Sequence, residues 1–154
     1  MTFSANEIMQ LAVQIEKNGV RLYSEASKLT EDSDSRRLFM QLAREEEQHI
    51  RDFKEIAEQL GVDPSPYDDE LSRMYLNSLV ESSVFSEPDE VLQRVKEGEP
   101  IKEIIIFALG AEKESILFYY TMLDQLERNK GLVKKIIRQE KEHIVKLNEI
   151  LAKI

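Results

Sequence analysis

The sequence predicts an all-α fold: a four-helix bundle with one long, partly helical crossover between the second and third long helices. Three observations carry that expectation. Four long segments place apolar residues at steps of three and four, the spacing of one helix face. Capping and breaking residues fall between those segments rather than inside them. No segment shows the period-two alternation of a strand.

The first helix opens at Ser4-Ala5-Asn6-Glu7, a capping-box pattern, and runs to about Thr30. Asp32-Ser33-Asp34 starts the second, which ends near Leu60-Gly61. About forty residues then intervene, too many for a structureless loop. Leu71, Met74, Tyr75 and Leu79 suit a short amphipathic helix there. Ser86-Glu87-Pro88-Asp89 starts another, with Val91, Leu92 and Val95 on its apolar side. Pro100 is placed as a first-turn proline of the third long helix, which is expected to end near Asn129. The fourth follows Gly131 and continues to Ile154. The order is hairpin, crossover, hairpin, an arrangement that ferritin-like bundles share.

At 154 residues the chain is read as a single domain over 1–154, large enough to bury a core. The net charge of −9 argues against nucleic acid and against an anionic membrane surface. There is no cysteine, which excludes disulfides, thiolate metal sites and a thiol nucleophile. No signal peptide or membrane span is evident, so the expected location is cytoplasmic.

The apolar stripes contain the informative interruptions. The first helix gives Met9, Ala12, Glu16, Gly19, Tyr23 and Ala26; the second gives Phe39, Leu42, Glu46, His49, Phe53, Ile56 and Leu60. The third gives Ile105, Ala108, Glu112, Ile116, Tyr119, Leu123 and Leu126; the fourth gives Val133, Ile136, Glu140, His143, Leu147, Ile150 and Ile154. Both histidines of the chain stand three residues after a glutamate, in Glu46-x-x-His49 and Glu140-x-x-His143. On a helix such a pair shares a face. Glu16-Lys17 with Tyr23 is echoed by Glu112-Lys113 with Tyr119, so the chain reads as two related hairpins.

A carboxylate deep in a bundle costs several kcal/mol unless it is paired or binds a metal. No lysine or arginine lies on these stripes. Two divalent ions would balance four carboxylates and two neutral imidazoles. The expected metal ligands are therefore Glu16, Glu46, His49, Glu112, Glu140 and His143. Tyr23 and Tyr119 are candidates to hydrogen-bond those ligands. Zinc would favour cysteine and histidine, and calcium would not select two imidazoles. One imidazole per metal among carboxylates suits iron or manganese.

Glu16, Glu46-x-x-His49, Glu112 and Glu140-x-x-His143 resemble the ligand set of the rubrerythrin branch of the ferritin-like diiron-carboxylate proteins, over nearly the whole chain. That resemblance implies that Glu46 and Glu140 bridge two metals, that Glu16 and Glu112 are terminal, and that one histidine serves each ion. It implies two iron ions, with manganese or a mixed iron–manganese pair as the alternative. The implied activity is a peroxidase- or oxidase-type oxidoreductase that reduces H₂O₂ or O₂ in oxidative-stress defence. Iron oxidation and storage, or a non-catalytic metal-binding module, are the alternatives. The expected partners are the small oxidant, a separate electron donor such as a rubredoxin, and a second copy in a homodimer, with no nucleic acid and no membrane.

Two departures from the family pattern stand out. Where the family carries a further glutamate one turn after the third-helix ligand, this chain has Ser115, and Glu114 is expected to point elsewhere. The cysteine pairs of a rubredoxin-like domain are absent. The fourth helix also runs to the end of the sequence, without the short fifth helix of storage ferritins.

Overall fold

The computed structural model describes residues 5–62, 74 and 87–154. Helix α1 spans Ala5–Leu29, α2 Ser33–Leu60, α3 Asp89–Lys96, α4 Lys102–Gln125 and α5 Lys130–Lys153, and no strand occurs among the described residues. Helix α1 packs on α2 and α4 on α5; the two hairpins then meet within the chain, α1 against α4 and α2 against α5. Among the described residues no helix is long and apolar enough to cross a membrane.

Local chemistry sets most boundaries. Asp32 caps α2, accepting from the Ser35 backbone N at 2.9 Å and from its Oγ at 2.7 Å. Gly61 ends α2 in the left-handed region at φ 72, where glycine has no Cβ to clash. The Val62 amide then donates to Ala57 at 2.9 Å, closing the terminus as Val62 reaches the core. The Ser4 cap expected for α1 lies outside the described residues, as do Leu71, Tyr75 and Leu79 of the first crossover helix; Met74 is described and exposed. The second crossover helix is present as α3, with Val91 and Leu92 buried, and Arg21 of α1 forms an ion pair with Asp89 at its start.

Three expectations are corrected. Helix α4 stops at Gln125 rather than near Asn129: Leu126 turns extended and stays buried, and Asn129 takes the left-handed conformation, φ 63, that its short amide tolerates. The buried line of α4 passes through Ser115 and Met122, while Ile116 and Leu123 are only partly buried. Steps of three and four in either order fit a helix, and α4 is apolar on several sides, so pattern alone did not choose between them. Ile154 is exposed rather than buried.

The core is split into two apolar layers. One holds Met9, Phe53, Ile56, Tyr119, Met122, Val133 and Ile136; the other holds Leu22, Tyr23, Phe39, Leu42, Ile104, Ala108 and Leu147. On every long helix the candidate ligands fall in the numbering gap between these layers. The folding of the two layers therefore brings the four helices' polar interruptions to one level of the bundle.

Candidate metal centre

All six expected ligands are buried at that level: Glu16, Glu46, His49, Glu112, Glu140 and His143. They form two overlapping groups. Glu16, Glu46, His49 and Glu140 offer atoms within 4.8 Å of one another, and so do Glu46, Glu112, Glu140 and His143. Glu46 and Glu140 belong to both groups.

The imidazoles face each other across the centre, nearly parallel, with ring centroids 6.0 Å apart. His49 Nδ1 lies 3.0 Å from Glu140 Oε1, 3.4 Å from Glu16 Oε2 and 3.9 Å from Glu46 Oε2. His143 Nδ1 lies 2.9 Å from Glu46 Oε1, 3.2 Å from Glu112 Oε1 and 3.4 Å from Glu140 Oε1. Both rings turn the other nitrogen outward. His49 Nε2 donates to Gln139 Oε1 at 2.7 Å, and His143 Nε2 donates to Glu45 Oε2 at 2.8 Å. A carboxylate oxygen and an amide oxygen only accept, so each ring carries a proton on Nε2 and turns Nδ1 inward; on His143, Nδ1 also donates to Glu112 Oε1 while no metal is bound.

The tyrosines reach the centre from the two apolar layers. Tyr23 donates to Glu112 Oε1 at 2.6 Å, and Tyr119 donates to Glu16 Oε1 at 2.5 Å. Burial first, and then the neighbouring carboxylates, hold both phenols well above their ordinary value. They remain neutral donors.

Electrostatics record the strain of this cluster. Burial, then the charges of Glu112 and Glu16, push the Glu140 carboxyl well above the usual range. Burial opposes ionisation of Glu112 as well, but hydrogen bonds with His143 and Glu140 outweigh it and hold that group low. Burial lowers His143, yet Glu112 and Glu45 raise it to about 9. The same burial thus holds Glu140 up, while its hydrogen bonds hold Glu112 down.

A cavity of about 40 Å³ reaches the centre between α1 and α4, lined by Gly19, Tyr23, Glu46, Glu112, Ser115 and Glu140 among others. Glu114 also lines it and is half-buried, which pushes its carboxyl up, so it faces the same space rather than pointing elsewhere. Ser115 Oγ donates back to the Ala111 carbonyl at 2.9 Å and offers the cavity no carboxylate.

The sequence profile of the rubrerythrin family matches residues 7–151. The chain belongs to the rubrerythrin family. A crystal structure from Thermotoga maritima, described as a ferritin-like diiron-carboxylate protein, shares 29% identity and superposes with a TM-score of 0.75, covering 97% of this chain and 95% of that one. A search of curated proteins finds no match.

The donor set of this rubrerythrin-family chain fits a metal pair. Glu16 Oε2, Glu46 Oε1, His49 Nδ1, Glu112 Oε2 and Glu140 Oε1 are buried without a hydrogen-bond partner. Each such atom costs about 1–3 kcal/mol unless something satisfies it. Divalent cations are the partner that oxygens and imidazole lone pairs around one point lack.

Sequence reasoning missed Glu45 and Gln139, which anchor the histidines. A signal was available: each immediately precedes the glutamate of an E-x-x-H motif, at the same register in both halves. Their pairing across hairpins, each with the other half's histidine, could not be read from spacing.

Proposed function

We propose that this chain is a dinuclear oxidoreductase that reduces H₂O₂ or O₂, with iron as the working metal. The observation that carries this reading is that both Nδ1 atoms face inward among four buried carboxylates, two of which are common to both groups. Glu46 and Glu140 would bridge, Glu16 and Glu112 would complete the two positions, and His49 and His143 would take one ion each. Bound iron supplies the two electrons that convert H₂O₂ and two protons into two water molecules.

The chain's own residues do the rest. Tyr23 and Tyr119 hold the terminal carboxylates in place through hydroxyls that stay protonated. The two apolar layers keep bulk water away. The cavity beside Gly19 and Ser115 has room for about three water-sized molecules, enough to admit a peroxide. The chain has no cysteine, so electrons reach the centre from a carrier outside these residues.

A second reading, ferrous iron as substrate to be oxidised and stored, draws on Ser115. Its hydroxyl is tied to its own helix, and Glu114, the further carboxylate lining the cavity, belongs to neither ligand group. Anaerobic ferrous titration followed by mixing with H₂O₂ or O₂ separates the readings. Two metals per chain and repeated turnover with a reductant support the oxidoreductase. Single-turnover oxidation that continues only with added ferrous ion supports iron oxidation. Fewer than two metals per chain, with both histidines intact, rules out the dinuclear enzyme.

A further inference from the structure

The two halves of the centre match in ligand types and in the tyrosine on each terminal glutamate, although His143 Nδ1 bonds Glu112 and His49 Nδ1 has no hydrogen-bond partner. Each group has three carboxylates and one imidazole. Each terminal glutamate accepts one tyrosine hydroxyl, at 2.6 Å for Glu112 and 2.5 Å for Glu16. Each histidine presents Nδ1 inward and donates from Nε2. The halves differ in what receives that donation: Glu45 behind His143, Gln139 behind His49. One is a carboxylate and the other a neutral amide, at corresponding positions of the repeat.

That difference has a definite physical sign. A carboxylate behind a metal-bound imidazole makes the ring a stronger donor and brings one more negative charge towards the cation. Its hydrogen bond is charge-assisted, about twice as strong as one to a neutral acceptor. An amide orients its ring equally well but adds no charge.

On the two-metal reading above, we propose that Glu45 and Gln139 are positioning residues that rank the two metal positions. The position beside His143 binds divalent metal more tightly and fills first; the one beside His49 fills second. Outer partners of metal-bound histidine shift affinity by about 10–100-fold, so the ranking is of that order.

The test is crystals of the full chain grown with one equivalent of Mn²⁺, measured at the manganese absorption edge. A tenfold affinity difference places about threefold more anomalous signal beside His143 than beside His49 when metal is limiting. Glu45→Gln is isosteric and should level the two signals. The exchange Glu45→Gln with Gln139→Glu should reverse them, which a merely structural role for either side chain would not do. Equal occupancy in the natural chain, or a preference that survives the exchange, overturns the ranking. Saturating Mn²⁺ is the separate control. Two ions per chain with even filling at one equivalent defeats the ranking alone, whereas fewer than two at saturation defeats the two-metal reading and the ranking with it.

Discussion

Tyr119 on α4 donates its hydroxyl hydrogen to Glu16 on α1 at 2.5 Å, joining the two hairpins across 103 residues of sequence. Tyr23 does the reverse, from α1 to Glu112 on α4, at 2.6 Å. Each hairpin thus restrains the other's terminal carboxylate, and each phenol comes from a different apolar layer.

Tyr119→Phe should therefore destabilise the metal-free protein more than the loaded one. Without metal, the substitution strips a buried carboxylate of its donor, at a cost of about 1–3 kcal/mol. With metal, Glu16 retains a strong partner. The rise in melting temperature on adding Mn²⁺ should be larger in the variant than in the natural chain. An unchanged rise would mean that Tyr119 does not support Glu16.

How much of this was legible follows from the same residues. The four stripes placed Glu16, Glu46, His49, Glu112, Glu140 and His143 on inward faces because a charged group repeatedly interrupted an apolar period, and that signal is local to each helix. The crossed contacts Glu45–His143 and Gln139–His49 join residues 98 and 90 positions apart. They depend on how α2 and α5 dock, which no single helix encodes. Ser115 was legible by identity but not by direction, since α4 offers apolar residues on more than one face. Its end was misread for a related reason: the break at Leu126 keeps an apolar residue buried, so hydrophobicity gave no warning.

The pH dependence of the metal-free protein should fall in the direction opposite to ordinary acid denaturation. Glu140 is raised in the folded state, so its contribution is full below its unfolded value near 4.5 and is lost as pH rises through the folded value. His143 behaves likewise, full below 6.5 and lost through about 9. Glu112 is lowered, so its contribution disappears only as pH falls below the carboxylate range. Melting temperature with chelator present should drop between pH 6 and pH 9. Metal displaces the retained protons, so the gap between loaded and chelated protein should widen over the same interval. A chelated protein that grows more stable from pH 6 to pH 9 would contradict the raised values of Glu140 and His143.

Glu46→Ala tests the bridge. Glu46 belongs to both ligand groups and is buried among three other carboxylates. Its removal relieves repulsion in the metal-free state, so the chelated variant should melt no lower than the natural chain, the lost contacts being offset by the lost charge. Each intact metal position at a hundredfold excess over its dissociation constant stabilises the fold by about 2.7 kcal/mol. That stabilisation should vanish in the variant, because both positions lose a ligand. A metal response of natural size, read by melting temperature with and without Mn²⁺, would remove Glu46 from the bridging role.

Gly19→Ala should separate helix stability from metal binding. Gly19 lies inside α1, where replacing glycine by alanine adds about 1 kcal/mol of helix stability. The new Cβ, however, would sit 3.1 Å from Glu46 Oε2 and 3.3 Å from its Cδ. In the metal-free protein the carboxylate end can swing away by a few tenths of an ångström, so the chelated variant should melt at or above the natural value. With metal bound, Glu46 is fixed from both sides and cannot yield without lengthening a ligand contact. Affinity should fall by about tenfold, the scale on which a displaced ligand support acts. Calorimetric titration with Mn²⁺ checks the second half, and melting with chelator checks the first. Tighter metal binding in Gly19→Ala would show that the close approach of α1 to Glu46 does not set the ligand's position.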